Sequence, residues 1–239
     1  MEEKLDMLRY WVLSSNNLVF FGGAGTSTES GISDFRSESG LYNKKNIYPP
    51  EVILSNDFFT NHTKEFYEYY KNNMIYLNAL PNKTHYKLVK LENQGKLKAI
   101  ITQNIDGLHQ KAGSKNVIEL HGNVYRNYCL NCGRNINIEE LLKSESIPLC
   151  NCGGIIRPDV TLYGEALNEN ALRNSAIFIR NADVLIVGGT SLGVFPAAGL
   201  LSYYRGNKLI LINKSTTNYD KNANLVINGK LGDVLQSID

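Results

Sequence analysis

The sequence lacks an excess of either charge: 25 Lys and Arg stand against 23 Asp and Glu, a formal net charge of +2. That balance excludes a global field able to draw the chain onto nucleic acid or an anionic membrane. No apolar run approaches the roughly 18 residues needed to cross a bilayer, and Met1-Glu2-Glu3-Lys4 has neither the basic start nor the apolar core of a secretory signal. A cytoplasmic chain with no membrane attachment is expected. Cysteine is sparse, and a reducing compartment favours the four present as metal ligands over disulfides. What remains is ordinary for a globular protein: 43% hydrophobic and 20% charged over 239 residues, enough for one large α/β domain with or without a small satellite.

The apolar run 18–21 ends in Gly22-Gly23-Ala24-Gly25-Thr26-Ser27-Thr28, a strand followed by a glycine turn. The glycines allow positive φ and close approach of a ligand, and the Ser and Thr residues can cap a helix whose free N–H groups face a phosphate. Two parts of the dinucleotide fingerprint are missing. Thr28 occupies the third glycine position, and Asn43, Lys44 and Lys45 stand where a ribose-binding carboxylate belongs. The turn alone therefore leaves a phosphate cradle and a plain tight turn equally open.

Elsewhere the pattern alternates helix and strand. Leu5, Leu8, Trp11 and Val12 predict a helix over 4–14, and Tyr48-Pro49-Pro50 predicts an irregular loop. The aromatics of 56–77 read as core or groove lining rather than a base-stacking surface. Pro81-Asn82-Lys83-Thr84 opens a helix that Gly95 closes. Strands are expected at 99–102, 117–120, 184–187 and 209–212, and helices at 168–181, from Pro196 and near the end of the chain. Polar groups stand at the strand ends: Gln103-Asn104-Ile105-Asp106, His121, Gly188-Gly189-Thr190-Ser191 and Asn213. In parallel sheets ligands bind at such ends. His121 is read as either a structural hydrogen-bonded residue or a general base; His62, His85 and His109 rank lower. Cys129-x-x-Cys132 and Cys150-x-Cys152, separated by 17 residues, can surround one tetrahedral zinc, which four protein ligands would make structural.

Taken together, Gly23-Ala24-Gly25-Thr26-Ser27, Asp34-Phe35-Arg36, Thr102-Gln103-Asn104-Ile105-Asp106, Leu120-His121-Gly122, the four cysteines, Tyr163-Gly164-Glu165, Gly189-Thr190-Ser191-Leu192 and Ile212-Asn213 resemble the sirtuins, NAD-dependent protein-lysine deacylases, over nearly the whole chain. The resemblance implies a Rossmann-like parallel sheet with helices on both faces, plus a small zinc-binding module and a helical insertion. The discontinuous Rossmann-like part is expected at 1–40, 81–124 and 158–239, the cofactor loop and helical insertion at 41–80, and the zinc ribbon at 125–157. It implies NAD as co-substrate, held by Gly23, Ala24, Gly25, Thr26, Asp34, Phe35, Arg36, Gln103, Asn104, Ile105, Asp106, Gly189, Thr190, Ser191, Asn213 and Asp233, with the adenine ribose held near Asn213. His121 and Asn104 would be catalytic, His121 as base on the ribose hydroxyls. The acyl-lysine oxygen would attack the ribose carbon bearing nicotinamide, giving nicotinamide, free lysine and O-acyl-ADP-ribose. Val160, Tyr163, Gly164, Glu165, Leu192, Gly193 and Val194 would line an extended acylated peptide, and Cys129, Cys132, Cys150 and Cys152 would hold one zinc. A monomer with no direct nucleic-acid binding is expected.

Several positions depart from the family pattern. Thr26 replaces the usual Ile or Val, Gly22 a frequent Thr, Gly193 a frequent larger residue, and Ser33 the usual Pro, which predicts a looser cofactor loop and weaker NAD binding. Members that remove acidic acyl groups carry a Tyr-x-x-Arg pair; here the segment reads Tyr67-Glu68-Tyr69-Tyr70, and Thr28 stands where those members have alanine. A neutral acyl group such as acetyl is expected. The competing readings are mono-ADP-ribosyl transfer or NAD hydrolysis in the same pocket, and a non-catalytic NAD or ADP-ribose binding module.

Overall fold

A strand that is apolar at every position must be covered on both faces. Leu18–Gly22 (β1) meets that demand at the centre of a six-stranded parallel sheet in the computed structural model, which describes residues 1–35, 40–43 and 47–238. The further strands are Leu97–Thr102 (β2), Val117–Glu119 (β3), Gly122–Cys129 (β4), Asn135–Ile136 (β5), Ile156–Val160 (β6), Val184–Gly188 (β7), Leu209–Asn213 (β8) and Leu225–Asn228 (β9). The large sheet runs β3-β2-β1-β7-β8-β9, with β1 pairing in parallel to both β2 and β7.

Strand alternation divides the side chains between two cores. Leu18, Phe20, Val184, Ile186, Ile210 and Ile212 pack with Leu8 and Val12 of the helix Glu2–Ser14, Leu88 and Leu91 of Lys83–Asn93, and Leu235 of Leu231–Gln236. Val19, Phe21, Leu185, Val187, Leu209 and Leu211 face the other way, onto Ile179 of the helix Glu169–Asn181 and Leu200 of the 3-10 helix Ala197–Tyr203. Helices therefore cover both faces. From β1 the strand order proceeds through β2 and β3 on one side and through β7, β8 and β9 on the other. The gap beyond β1 and β7 is the switch point where such sheets bind ligands.

A second sheet, antiparallel and ordered β5-β4-β6, forms a smaller unit. Its Ile136, Ile138, Leu141 and Ile156 share one core with Phe58 and Phe59 of the helix Asn56–Asn61 and Phe66, Tyr67 and Tyr70 of Thr63–Asn73. The aromatic stretch is core, as expected from its spacing.

Three local expectations are corrected. No α-helix follows the glycine turn: Ala24–Thr26 and Thr28–Ser30 are 3-10 turns, closed by Gly31 at φ 82°. The side chains expected to cap a helix bond elsewhere, with Thr28 Oγ1 donating to the Gly25 carbonyl and Ser27 Oγ to Asp106. Pro50 does not prevent a helix but starts the short one at Pro50–Ile53, because a proline at the first helical position removes an N–H that has no partner there. Strands β4, β5 and β9 and the helix Ile138–Leu142 add to the elements that the sequence pattern predicts.

Candidate active site

The two glycine turns at the switch point touch backbone to backbone. Gly25 N–H donates to the Gly189 carbonyl at 2.7 Å, and a Cβ on Gly25 would lie 2.7 Å from Gly189 Cα. Gly23 has φ −129°, an extended value open to any residue, but its Cβ would stand 2.7 Å from Thr190 Cβ. The glycines of this loop thus serve close packing of the β1 and β7 ends rather than positive φ.

Beyond β2 the polar cluster closes on the same turn. Asn104 Nδ2 donates to Ser27 Oγ at 3.0 Å, and Ser27 Oγ–H donates to Asp106 Oδ2 at 2.6 Å. Asp106 Oδ1 accepts from Leu108 N–H at 2.9 Å. Burial raises the Asp106 carboxyl above its ordinary range, against the Ser27 and Leu108 hydrogen bonds, which lower it. Gln103 Nε2 donates to Thr190 Oγ1 at 3.1 Å, Leu192 N–H donates to the same oxygen at 3.2 Å, and Thr190 N–H donates to Asn213 Oδ1 at 3.0 Å. The ends of β1, β2, β7 and β8 are joined by these bonds. The N–H groups of the β7 turn expected to meet a ligand are therefore partly engaged within the protein. One donor, Asn213 Nδ2, is buried with no partner among the described residues, as is Thr26 Oγ1.

His121 follows β3. Its Nδ1 lies 2.9 Å from the Gln103 carbonyl, an acceptor only, so Nδ1 carries the proton and Nε2 keeps its lone pair. Burial lowers its pKa below the ordinary histidine value, opposed by that carbonyl. The next residue locks the backbone: Gly122 has φ 82°, and a Cβ there would fall 2.0 Å from the Asp159 carbonyl oxygen. The His121 carbonyl accepts from Thr161 N–H at 2.9 Å. A base held at both ring and backbone, its ring bonded to the residue that precedes Asn104, is equipped to take a proton from a polyhydroxylated ligand.

Residues 23–196 match the Sir2 family profile. The chain belongs to the Sir2 family. It is 59% identical over 240 residues to an NAD-dependent protein deacetylase of Clostridium acetobutylicum, with 99% of this chain and 98% of that protein covered. Over 235 residues it is 58% identical to one from Clostridium tetani, covering 97% and 95%. Among solved structures, a Sir2 chain with deacetylated p53 peptide and 3'-O-acetyl ADP ribose aligns with a TM-score of 0.91 at 39% identity, covering 98% of this chain and 96% of that one. A Sir2 chain with p53 peptide and NAD+ aligns with a TM-score of 0.86 at 40% identity, over 98% and 96%.

Some residues that the sequence of this Sir2 chain nominates for the site engage other partners instead of the cluster. Asp233 pairs on the surface with Lys83 at 3.1 Å. Glu165 accepts two bonds from Arg157 Nη2, at 2.6 and 2.7 Å, and one from Leu162 N–H, so its carboxylate shapes its own loop. Phe35 is half-buried, its ring 6.0 Å from that of Tyr42, and Arg36 lies outside the described residues. Ser27, at the centre of the polar cluster, is visible in the sequence only as part of a motif; its role needs the pairing of β1 with β2 to be seen.

The Sir2 zinc module fits its metal. All four cysteine sulfurs lie within 4.8 Å of one another, with Cys129 and Cys152 at 3.4 Å and Cys132 and Cys150 at 3.8 Å. A tetrahedron with Zn–S bonds of about 2.3 Å has edges of about 3.8 Å, whereas a disulfide needs about 2.05 Å. Asn131 and Cys132 N–H groups point at Cys129 Sγ, at 3.4 and 3.5 Å, and suit a thiolate. The set offers a structural zinc site with no place for a catalytic water.

Proposed function

We propose that this chain removes acetyl groups from protein lysines at the expense of NAD and one water, which releases the lysine nitrogen from the acyl carbon, yielding nicotinamide, free lysine and O-acetyl-ADP-ribose. The observation that carries the reading is His121, held by Gln103 and Gly122 with Nε2 unbonded among the described residues, and tied through Gln103 to the strand end that carries the Ser27–Asn104–Asp106 cluster of a Sir2-family sheet. NAD supplies the ADP-ribosyl group that takes up the acyl oxygen. The loop 23–27, Gln103, Asn104, Asp106, Thr190 and Asn213 hold the dinucleotide. His121 Nε2 takes the proton of a ribose hydroxyl. Asn213, at the end of β8, also answers the carboxylate missing after the glycine turn.

The acylated peptide lies extended along Gly164. Tyr163 N–H and C=O bond to Leu54 and Asn56, each at 3.0 Å, and Gly164 leaves that pairing in a turn at φ 89°, which anchors the loop against which a substrate strand pairs. Such pairing accepts many sequences. In this reading the Rossmann-like unit (1–40, 81–124 and 158–239) binds NAD, while the smaller unit (41–80 with 125–157) frames the cleft. The protein works as a cytoplasmic monomer. Tyr67 and Tyr70 are buried and carry no positive charge to match an acidic acyl group, which favours neutral ones.

Incubation with NAD and a panel of acetyl-, propionyl- and succinyl-lysine peptides tests this. Nicotinamide release should match peptide deacylation, mass spectrometry should detect O-acetyl-ADP-ribose, and acetyl should exceed succinyl turnover at least tenfold, the order of a lost charge-assisted bond. Nicotinamide release without an acylated product would replace the proposal by ADP-ribosyl transfer or NAD hydrolysis. Succinyl turnover equal to acetyl would overturn the acyl preference.

A further inference from the structure

The dinucleotide loop is built from two 3-10 turns, whose own hydrogen bonds have poor geometry, so its shape is set from outside. Asn82 supplies one such restraint. It stands at the N-cap of the helix Lys83–Asn93, where its Oδ1 accepts from Thr84 N–H at 2.9 Å. With the oxygen committed to the helix, the amide nitrogen must face the other way. It donates to the Thr26 carbonyl at 2.8 Å and to Ser30 Oγ at 3.0 Å, one bond to each 3-10 turn.

Asn82 is itself held. Its backbone N–H donates to His85 Nδ1 at 3.2 Å, the return half of a capping box. The buried His85 ring lies 4.8 Å from that of His109, and His109 in turn packs edge-on against Phe20 of β1. Thr26 directly precedes Ser27, whose hydroxyl bridges Asn104 and Asp106. A displacement of the Thr26 carbonyl is therefore passed within one residue to Asn104 and Asp106, which are proposed to hold the dinucleotide.

We infer that Asn82 is a positioning residue for the dinucleotide loop, its carboxamide clamping both 3-10 turns in the NAD-binding conformation. This rests on the proposal that the loop binds NAD.

Asn82→Asp separates the clamp from the cap. Aspartate caps a helix as well as asparagine does, so the Thr84 bond and the fold are retained. The second oxygen of Asp cannot donate to the Thr26 carbonyl, and Ser30 alone can reorient its hydroxyl to meet it. NAD binding is measured by calorimetry without peptide, together with KM for NAD and for acetyl-peptide and the Tm. Asn82→Asp should weaken NAD binding and raise its KM about tenfold, the consequence of one lost donor bond. Peptide KM and Tm should stay near wild type. Ser30→Ala, which leaves the cap untouched, should weaken NAD binding two- to threefold. Asn82→Asp binding NAD within twofold of wild type, or raising both KM values alike, overturns the inference. Wild-type protein that binds no NAD would instead overturn the functional reading beneath it.

Discussion

At the scale of single residues, chemistry depends on which atom of a side chain is left free. His121 donates from Nδ1 to Gln103, and burial keeps the ring neutral, so Nε2 is a base at neutral pH. The sign follows directly: a lowered pKa moves the acid limb of kcat/KM below the ordinary histidine value of about 6.5. Initial rates on acetyl-peptide between pH 5 and 8 should place that limb below 6.5. His121→Ala should lose at least a hundredfold in turnover while calorimetric NAD binding persists; loss of binding in parallel would make the residue structural. The position of His121 after an apolar strand was legible in the sequence. Its tautomer was not, because Gln103 lies on a different strand and reaches it only through the pairing of β2 with β3.

At the scale of elements, the four cysteines tie together the turns of the small sheet at the edge of the core it shares with the aromatic helices. β5 has two residues, Cys129 ends β4, and Cys132, Cys150 and Cys152 lie in turns or irregular backbone. A bound zinc can contribute on the order of 10 kcal/mol to folding such a module. Cys129→Ser, or removal of the metal by a chelator, should abolish zinc content by atomic absorption and lower activity by at least tenfold. The loss should propagate because β4 continues from His121-Gly122 straight to Cys129, and β6 runs from the cysteine turn to Val160, just before the loop proposed to hold the peptide. Full activity in metal-free protein would refute a structural zinc. Apart from β9, the strands with continuous apolar runs were readable from pattern alone. β4 and β5 were not, since their polar residues acquire a partner only across the antiparallel sheet, and the 3-10 turns after β1 were not, since Ser27 and Thr28 prefer tertiary partners to a helix cap.

At the scale of the whole molecule, buried histidines couple the fold to pH. Burial pushes His85 down to about 4 and His109 well below the ordinary value. The unfolded chain therefore binds more protons than the folded one as pH falls below about 6.5, so stability is full above that pH and is lost progressively toward about 4. The raised Asp106 carboxyl works in the opposite sense. For His85 alone the loss between pH 7 and pH 5 is on the order of 2 kcal/mol, or roughly 4–8 °C in Tm for a chain of this size. Glutamine at this helix position can keep the capping box without titrating, so His85→Gln should flatten the Tm–pH curve by about that amount in differential scanning calorimetry, and an unchanged slope would remove His85 from the account. The sequence by itself determined the alternation of strands and helices, the four-cysteine cluster and the family to which the polar strand ends belong, because periodicity, cysteine spacing and short motifs are local properties. Only the tertiary structure decided how those ends act. The contact of Gly25 with Gly189, the bond from His121 to Gln103, the Ser27 bridge and the Asn82 clamp join residues from 18 to 164 positions apart, and such pairings follow from strand order and register, which no local pattern contains.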